Sequence, residues 1–422
     1  VYELQQTVPH NTDAVIICNQ GDNIQTKYNQ AALLQPNGNP RSATSRVTLV
    51  VMNGTYGDLN AGVMYVDVVG IGLPKIGIIR QTPSVPRESN FENLICDRVD
   101  IEYFSGVMKN VTCLGFFHMI ENNGWIQDVS PLSFEVERNY GTIKDVKEIF
   151  VSGSWTTFNI SERNYGVVEG VVLTQNSITV DLNSGTIRNC SAKGMLSSCQ
   201  NYGIIDSCVS NSVSGGRSFG GNLSGGNFGT IRNCISYSEQ SFGAQGGAGL
   251  TDGCDSVGQS FAGNGNLIDW DWEERGVSGT YRNCTGGNNS FLGINQDANV
   301  TRTIDAKFIN CTAGSQSFGW VNQANVTTVF DGYATNCIAL EKSFCAAGTS
   351  GGTTRIEAGA IIENCSAGSN SFGTFNSSTN EGFVLSCRTL DTGANSFNAT
   401  GTGKVRLCLD GFFEIINIPT PI

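Results

Sequence analysis

A four-residue motif recurs along the second half of this chain: an apolar residue, a usually polar one, asparagine, then cysteine. The copies are Ile187-Arg-Asn-Cys190, Ile231-Arg-Asn-Cys234, Tyr281-Arg-Asn-Cys284, Phe308-Ile-Asn-Cys311, Ala334-Thr-Asn-Cys337 and Ile362-Glu-Asn-Cys365. Degenerate copies end at Cys208, Cys254, Cys387 and Cys408. Earlier relatives replace the cysteine: Phe91-Glu-Asn-Leu94, Met108-Lys-Asn-Val111 and Ile143-Lys-Asp-Val146. From Cys190 the anchors lie 18, 26, 20, 30, 27, 26, 28, 22 and 21 residues apart. A Ser-Phe anchor follows seven residues after the cysteine at Phe261, Phe291, Phe318, Phe344 and Phe372, and eight after at Phe242. Self-similarity at such a period marks a repeat architecture.

The spacing inside the motif has a geometric meaning. A strand places alternate residues on one face. Here two inward residues are three positions apart, so the alternation breaks, and it breaks at Asn, Asp, Ser or Gly. Asn and Asp tolerate the left-handed backbone region better than other residues with a side chain. The motif therefore predicts a sharp corner at Asn189, Asn233, Asn283, Asn310, Asn336 and Asn364. The next residue turns into the core: Cys190, Cys234, Cys284, Cys311, Cys337 and Cys365. Coils stacked at about 4.8 Å align these as ladders of Asn, Cys and Phe. The expected class is all-β, a right-handed parallel β-helix with a short N-terminal capping helix. An antiparallel sandwich gives no reason for a recurring Asn-Cys, and a propeller wants a longer repeat of roughly 40 residues or more. At the interstrand spacing, roughly 14 to 17 coils make a rigid rod of about 70 to 80 Å.

Composition narrows the partners. Glycine is abundant, at 52 of 422 residues, and charged residues make up 15%. The net charge of −12 disfavours nucleic acid and anionic membranes, which want clustered Lys and Arg. No apolar run approaches the roughly 20 residues of a membrane span. The chain starts at Val1 without a visible signal peptide, as a processed chain or a fragment would. Its 15 cysteines form no CxxC, and its two histidines are His10 and His118. Zinc, other metals and cofactors are therefore not expected. Buried free thiols used as small apolar wedges fit a chain folded in a reducing cytosol.

A solenoid hides its terminal apolar faces. Asp22-Asn-Ile-Gln25 reads as a capping box, and Ile24, Tyr28, Ala31 and Ala32 fall on one helical face. That helix is expected to stop near Pro36-Asn-Gly38, before a first buried strand at Val47–Val51. Phe412, Phe413, Ile415, Ile416 and Ile418 form an apolar tail that either caps the last coil or contacts another subunit. The implied domains are a cap with the first coils over 1–60, the β-helix over 61–405 and a C-terminal cap over 406–422. The stretch Gly21-Asp-Asn-Ile-Gln-Thr-Lys-Tyr-Asn-Gln-Ala-Ala32, followed by Arg46-Val-Thr-Leu-Val-Val-Met-Asn-Gly-Thr-Tyr56, resembles the opening of pectin-lyase-like β-helices. It is most similar to those of phage tail spikes and tail fibres. The resemblance covers about 35 residues closely. It implies a virion-attached adhesin, often homotrimeric, that folds in the host cytoplasm, joins other tail proteins, meets a host surface polysaccharide and sometimes cleaves it. Outside a virion the chain is expected to be extracellular.

Chemistry leaves fewer marks. No segment carries the hallmark motifs of pectate-lyase-like enzymes, so a polysaccharide hydrolase or lyase remains the alternative to an adhesin, and a ligand-free tail or baseplate part a third. The first candidate site is Asp269-Trp-Asp-Trp-Glu-Glu274, in the longest interval between anchors. There Trp270 and Trp272 would stack on sugar rings. Asp269, Asp271, Glu273 and Glu274 would bind hydroxyls or act as acid and base. The bland reading is a solvated acidic loop. A second candidate is Glu121–Asp128, with Trp125 as a sugar platform and His118 nearby, expected as a loop because no motif is apparent between Val111 and Ile143. A third is Asp252 with Asp255, flanking Cys254, a pair that is usually no more than surface acid.

Overall fold

The computed structural model describes residues 14–81, 88–148, 157–195, 200–211, 217–219, 226–237, 240–242, 248–257, 261, 277–291, 301–320, 327–346, 352–372, 379–390, 397, 404–409 and 415–418. The chain divides into two compact units, Val1–Val180 and Asp181–Ile422. Each is a parallel β-helix.

The first unit runs β1 (Val15–Cys18), α1 (Ile24–Leu33), β2 (Val47–Val51), β3 (Leu59–Asn60), β4 (Val66–Gly70), β5 (Lys75–Gln81), β6 (Phe91–Phe104), β7 (Val107–Asn122), β8 (Trp125–Asn139), β9 (Thr142–Lys144), β10 (Phe158–Asn164), β11 (Val167–Glu169) and β12 (Ser177–Val180). Each pairs in parallel with the strand one coil on: Val47 with Val66, Phe91 with Met108, Met108 with Ile126 and Ile126 with Ile143. Val47, Leu49, Val66, Val68, Phe91, Met108, Ile126 and Ile143 line a fully buried core. Phe117, Phe134 and Phe158 stack there at 4.7 and 4.8 Å.

Two local expectations are corrected. The N-cap of α1 is Asn23, whose side chain accepts from Thr26 N at 2.8 Å. Asp22 instead accepts from Asn19 N, and Gln25 reaches Asn60, tying the helix to the coil beneath it. Val47–Val51 is the first buried strand, and the largely exposed Val15–Cys18 pairs in parallel with it. Glu121–Asp128 is not a loop: it is the end of β7, the two residues Asn123 and Gly124, and the start of β8. The motif does occur there, as Ile126-Gln-Asp-Val129, with Asp128 at the left-handed corner (φ 52°) and Val129 in the cysteine slot.

In the second unit the strand register follows the motif coil by coil. Ile187 pairs with Ile205, Ile205 with Ile231, Ile231 with Thr251, Thr251 with Tyr281, and Tyr281 with Phe308. The same position continues through Ala334, Ile362, Val384 and Val405. Asn189, Asn233, Asn283, Asn310, Asn336 and Asn364 all have φ between 52° and 54°. The described cysteines are free and buried. Burial pushes the thiols of Cys254 and Cys345 up, so neither is primed as a nucleophile. Each motif thiol sits beside the carbonyl two residues back, at 3.2 Å for Cys284 and Arg282. Phe219, Phe242, Phe261, Phe291, Phe318, Phe344, Phe372 and Phe397 stack at 4.6 to 5.0 Å. Phe219 and Phe397 extend the expected column at both ends.

The last coil is closed by pairing. Ile415–Ile418 turns back antiparallel on Lys404–Leu409, covering an open strand edge within the same chain. Phe412 and Phe413 lie outside the described residues.

Candidate functional site

The site grows from a second asparagine column, separate from the motif corners. In the first unit Asn122, Asn139 and Asn164 are buried, Asn122 Nδ2 donating to Asn139 Oδ1 and Asn139 Nδ2 to Asn164 Oδ1, both at 2.8 Å. Buried amides of this kind are stable only when satisfied, and here the ladder satisfies them. Each opens an Asn-x-Gly triplet. The glycine is obligatory: a Cβ on Gly124 would sit 2.3 Å from the Gly106 carbonyl oxygen, and one on Gly141 would sit 2.1 Å from that of Gly124. The central residue, flanked by a tight column and a bare one, points outward. These residues are Asn123, Tyr140 and Tyr165.

Tyr140 and Tyr165 are 46% and 42% exposed and stack at 4.8 Å with 7° between their planes. Arg163 lies over the Tyr165 ring and donates to its hydroxyl at 2.7 Å. Among the described residues Tyr140 has no second ring partner. Its other face opens toward the coil that carries Asn123.

Extending the strand registers to the coil ends aligns Arg46, Tyr65, Glu88, Ser105, Asn123, Tyr140 and Tyr165 in one column. Large groups stand at both ends: Arg46 over the Tyr65 ring at 5.5 Å, and the tyrosine stack at the other. Between them the side chains are short and the glycines bare. The result is a groove of about 700 Å³, walled on one side by Val107, Trp125, Thr142 and Val167. Trp125 is half-buried and its indole N–H donates to Gln127 Oε1 at 3.2 Å, which fixes the ring.

The floor at one end is rigid. Arg46 and Asp67 are 7% and 1% exposed and form a two-pronged pair, Nε to Oδ2 at 2.8 Å and Nη2 to Oδ1 at 2.7 Å. Asp67 also accepts from Asn90 N at 3.0 Å, and Arg46 Nη2 donates to the Glu88 carbonyl at 3.0 Å. Both buried charges are thus paired and hydrogen-bonded, the condition under which burial is tolerated. The Glu88 carboxylate stands 3.9 Å from Arg46 Nη1.

The neighbouring face of the first unit is acidic. Asp100, His118 and Glu135 share one outward row of β6, β7 and β8. His118 Nδ1 lies 3.4 Å from Asp100 and Nε2 lies 3.8 Å from Glu137. Glu121 lies 3.6 Å from Arg138 and accepts from Asn123 Nδ2 at 2.7 Å, linking this face to the groove.

The structure distributes the sequence candidates unevenly. Trp125 and Asn123 line the groove, Glu121 bonds to Asn123 from the acidic face where His118 stands, and Asp128 lies at the motif corner beside Asp145, away from both. Asp252 is tied to Arg282 and Asn283, while Asp255 is exposed past the corner. Asp269, Trp270, Asp271, Trp272, Glu273 and Glu274 lie outside the described residues. Sequence reasoning missed Tyr140, Tyr165, Arg46 and Glu88. The signal for the tyrosines was present as a run of Asn-x-Gly triplets at 122, 139, 164, 183, 201 and 227. Among the described residues, no group of three or more His, Cys, Asp or Glu is placed to hold a metal ion. None of their helices is long and apolar enough to cross a membrane.

No protein-family model and no curated protein matches the chain. A solved structure, sacteLam55A from Streptomyces sp. SirexAA-E, aligns over 96% of this chain and 93% of its own, at 9% identity and a TM-score of 0.23. A TM-score that low carries no argument for fold or activity.

Proposed function

We propose that the chain is a polysaccharide-binding β-helix of the phage tail spike or tail fibre kind, attaching its virion to a host surface glycan. One observation carries the reading: an open tyrosine face, a fixed tryptophan and a fixed guanidinium converge on one groove of the first unit. A pyranose presents an apolar C–H face and a rim of hydroxyls. Aromatic faces bind the first by dispersion and by removing both from water, and fixed polar groups bind the second. From Tyr65 to Tyr140 the groove spans four coil steps, about 19 Å at the interstrand spacing, room for a short run of sugars. Buried free thiols support folding in a reducing host cytoplasm before export on the particle. The partners in this reading are the glycan, other tail proteins and further copies of the chain as a homotrimer, not nucleic acid or a membrane interior.

The test is glycan binding by wild type, Tyr140→Ala and Trp125→Ala, measured by calorimetry on polysaccharide from a susceptible host. Each substitution should weaken binding at least tenfold, about 1.4 kcal/mol. Unchanged affinity in both would remove the groove from the reading. Trp270 and Trp272 remain a second proposed platform, and their alanine variants belong in the same titration.

A depolymerase on the same scaffold is the second reading. It is favoured by the carboxylates of Asp100 and Glu137 on either side of His118, next to a groove-linked Glu121. Glycosidic hydrolysis needs two carboxyl groups flanking the scissile bond. New reducing ends that vanish in Asp100→Asn or Glu137→Gln would support it. Intact polymer after prolonged incubation would leave binding alone.

A further inference from the structure

We infer that the groove selects a neutral glycan, and that Arg46 and Glu88 hold adjacent hydroxyls of one sugar. The inference rests on the groove being a glycan site and adds the class of glycan. Arg46 commits Nε and Nη2 to Asp67 and to the Glu88 carbonyl. Among the described residues its Nη1 has no hydrogen-bond partner, the Glu88 carboxylate at 3.9 Å being beyond hydrogen-bond reach. The guanidinium cannot swing toward Glu88 without breaking the buried pair, so the two N–H groups of Nη1 stay available at the groove end. Glu88 is half-exposed and offers acceptor oxygens. A donor and an acceptor thus face the same space.

The charges decide which ligand fits. Arg46 contributes +1, Asp67 and Glu88 −1 each, so this end of the groove carries a net −1. Glu121, bonded to Asn123 on the groove floor, adds a further carboxylate, whose ion-pair partner Arg138 is shared with Glu162. The chain as a whole is at −12. A uronate, sialate or phosphate entering here meets a guanidinium already neutralised by a buried partner, with a second carboxylate beside it. Repulsion from Glu88 cancels what Nη1 gives. A hydroxyl group both donates and accepts, and carries no charge. One hydroxyl can accept from Arg46 Nη1 while its neighbour donates to Glu88. Further along, Asn123 spends its Nδ2 on Glu121 and keeps Oδ1 as an acceptor for another hydroxyl. Tyr140 then takes the apolar face of the sugar.

The experiment uses the full chain on an array of purified bacterial capsular and O-antigen polysaccharides, half neutral and half bearing uronate, sialate or phosphate. Wild type should give its strongest signals on neutral polymers. Glu88→Gln should lose at least tenfold on those polymers, because a neutral amide is a weaker acceptor, and should gain on acidic ones. Circular dichroism on the variant checks that the coil is intact, since Glu88 is half-exposed and its carbonyl, not its side chain, carries the bond to Arg46 Nη2. Strongest signals on acidic polymers that depend on Tyr140 would overturn the inference and keep the groove. Signals indifferent to both Tyr140→Ala and Glu88→Gln, or no signals at all, would overturn the groove reading and this inference with it.

Discussion

At the scale of single residues, the motif is a solution to one backbone problem. The corner needs φ near +53°, which costs a residue with a side chain about 1–2 kcal/mol and glycine almost nothing. Asparagine reduces that penalty and uses its amide on the neighbouring coil. Asn310 donates to Asn283 Oδ1 at 3.1 Å, and Asn283 donates to Asp252 at 2.9 Å. Cysteine follows because the slot beyond the corner is small and faces a carbonyl, to which a thiol can donate weakly. In the first unit Val111, Val129 and Val146 fill the equivalent slot, so shape dominates and the thiol contact is secondary. This separates two contributions at Asn283. Asn283→Gly keeps the backbone and loses only exposed amide bonds, so it should be close to neutral. Asn283→Ala loses both, and should cost about 1–2 kcal/mol more, read from the shift in urea midpoint at constant slope. Equal losses in the two variants would mean that the amide ladder, and not the turn, selects asparagine.

At the scale of the strand, the second motif position carries an alternation of charge: Arg188, Asp206, Arg232, Asp252 and Arg282 on successive coils. Parallel stacking places equivalent residues about 4.8 Å apart, so like charges there would repel and opposite charges support the register. Arg232 pairs with Asp206 at 2.8 Å, and Arg282 with Asp252. The hydrogen bond from Arg282, opposed by partial burial, holds the Asp252 carboxyl below the usual carboxylate range. A depressed folded pKa stabilises the fold above the unfolded value, about 3.9, and that contribution is lost as pH falls through the folded value. Wild type should therefore be more stable than Asp252→Asn at pH 7, with the gap closing below about pH 4. Denaturation curves at pH 7, 5 and 3 check this, and a gap independent of pH would exclude the ion pair as its source. The motif shows these residues facing solvent, but their alternation in sign emerges only when each coil is set in register on its neighbour. Register likewise reveals Ile126-Gln-Asp-Val129 as a copy of the motif. With Asp for Asn and Val for Cys it has the same form as Ile143-Lys-Asp-Val146, so the signal stands in the sequence, and the pairing of Ile126 with Ile143 makes it plain. The groove was harder still to read. Arg46, Glu88 and Tyr140 are 42 and 52 residues apart along the chain, and only the coil register makes them neighbours.

At the scale of the molecule, the described strands pair in parallel with the next coil, and the one antiparallel strand pairing closes the C-terminal edge. Stability in such an array is the sum of each coil's own terms and its two interfaces. A coil at an end has one interface fewer and should open first, so unfolding of the second unit should not be all-or-none. The buried thiols report this directly. Cys408 and Cys311 are both 0% exposed and so shielded from a reagent in the folded state, but Cys408 stands on the last parallel coil and Cys311 has cysteine coils on both sides. Phe308, beside Cys311, also packs against Phe291 and Phe318, each contact worth about 0.5–1.5 kcal/mol. Alkylation in rising urea, followed by peptide mass spectrometry, should label Cys408 at lower denaturant than Cys311. The antiparallel strand Ile415–Ile418 covers the edge of the Cys408 coil, so removing residues 415–422 should lower the Cys408 midpoint and leave that of Cys311 in place. A single midpoint shared by both cysteines, moving together on truncation, would show that the second unit unfolds as one block and that coil-by-coil additivity does not describe it.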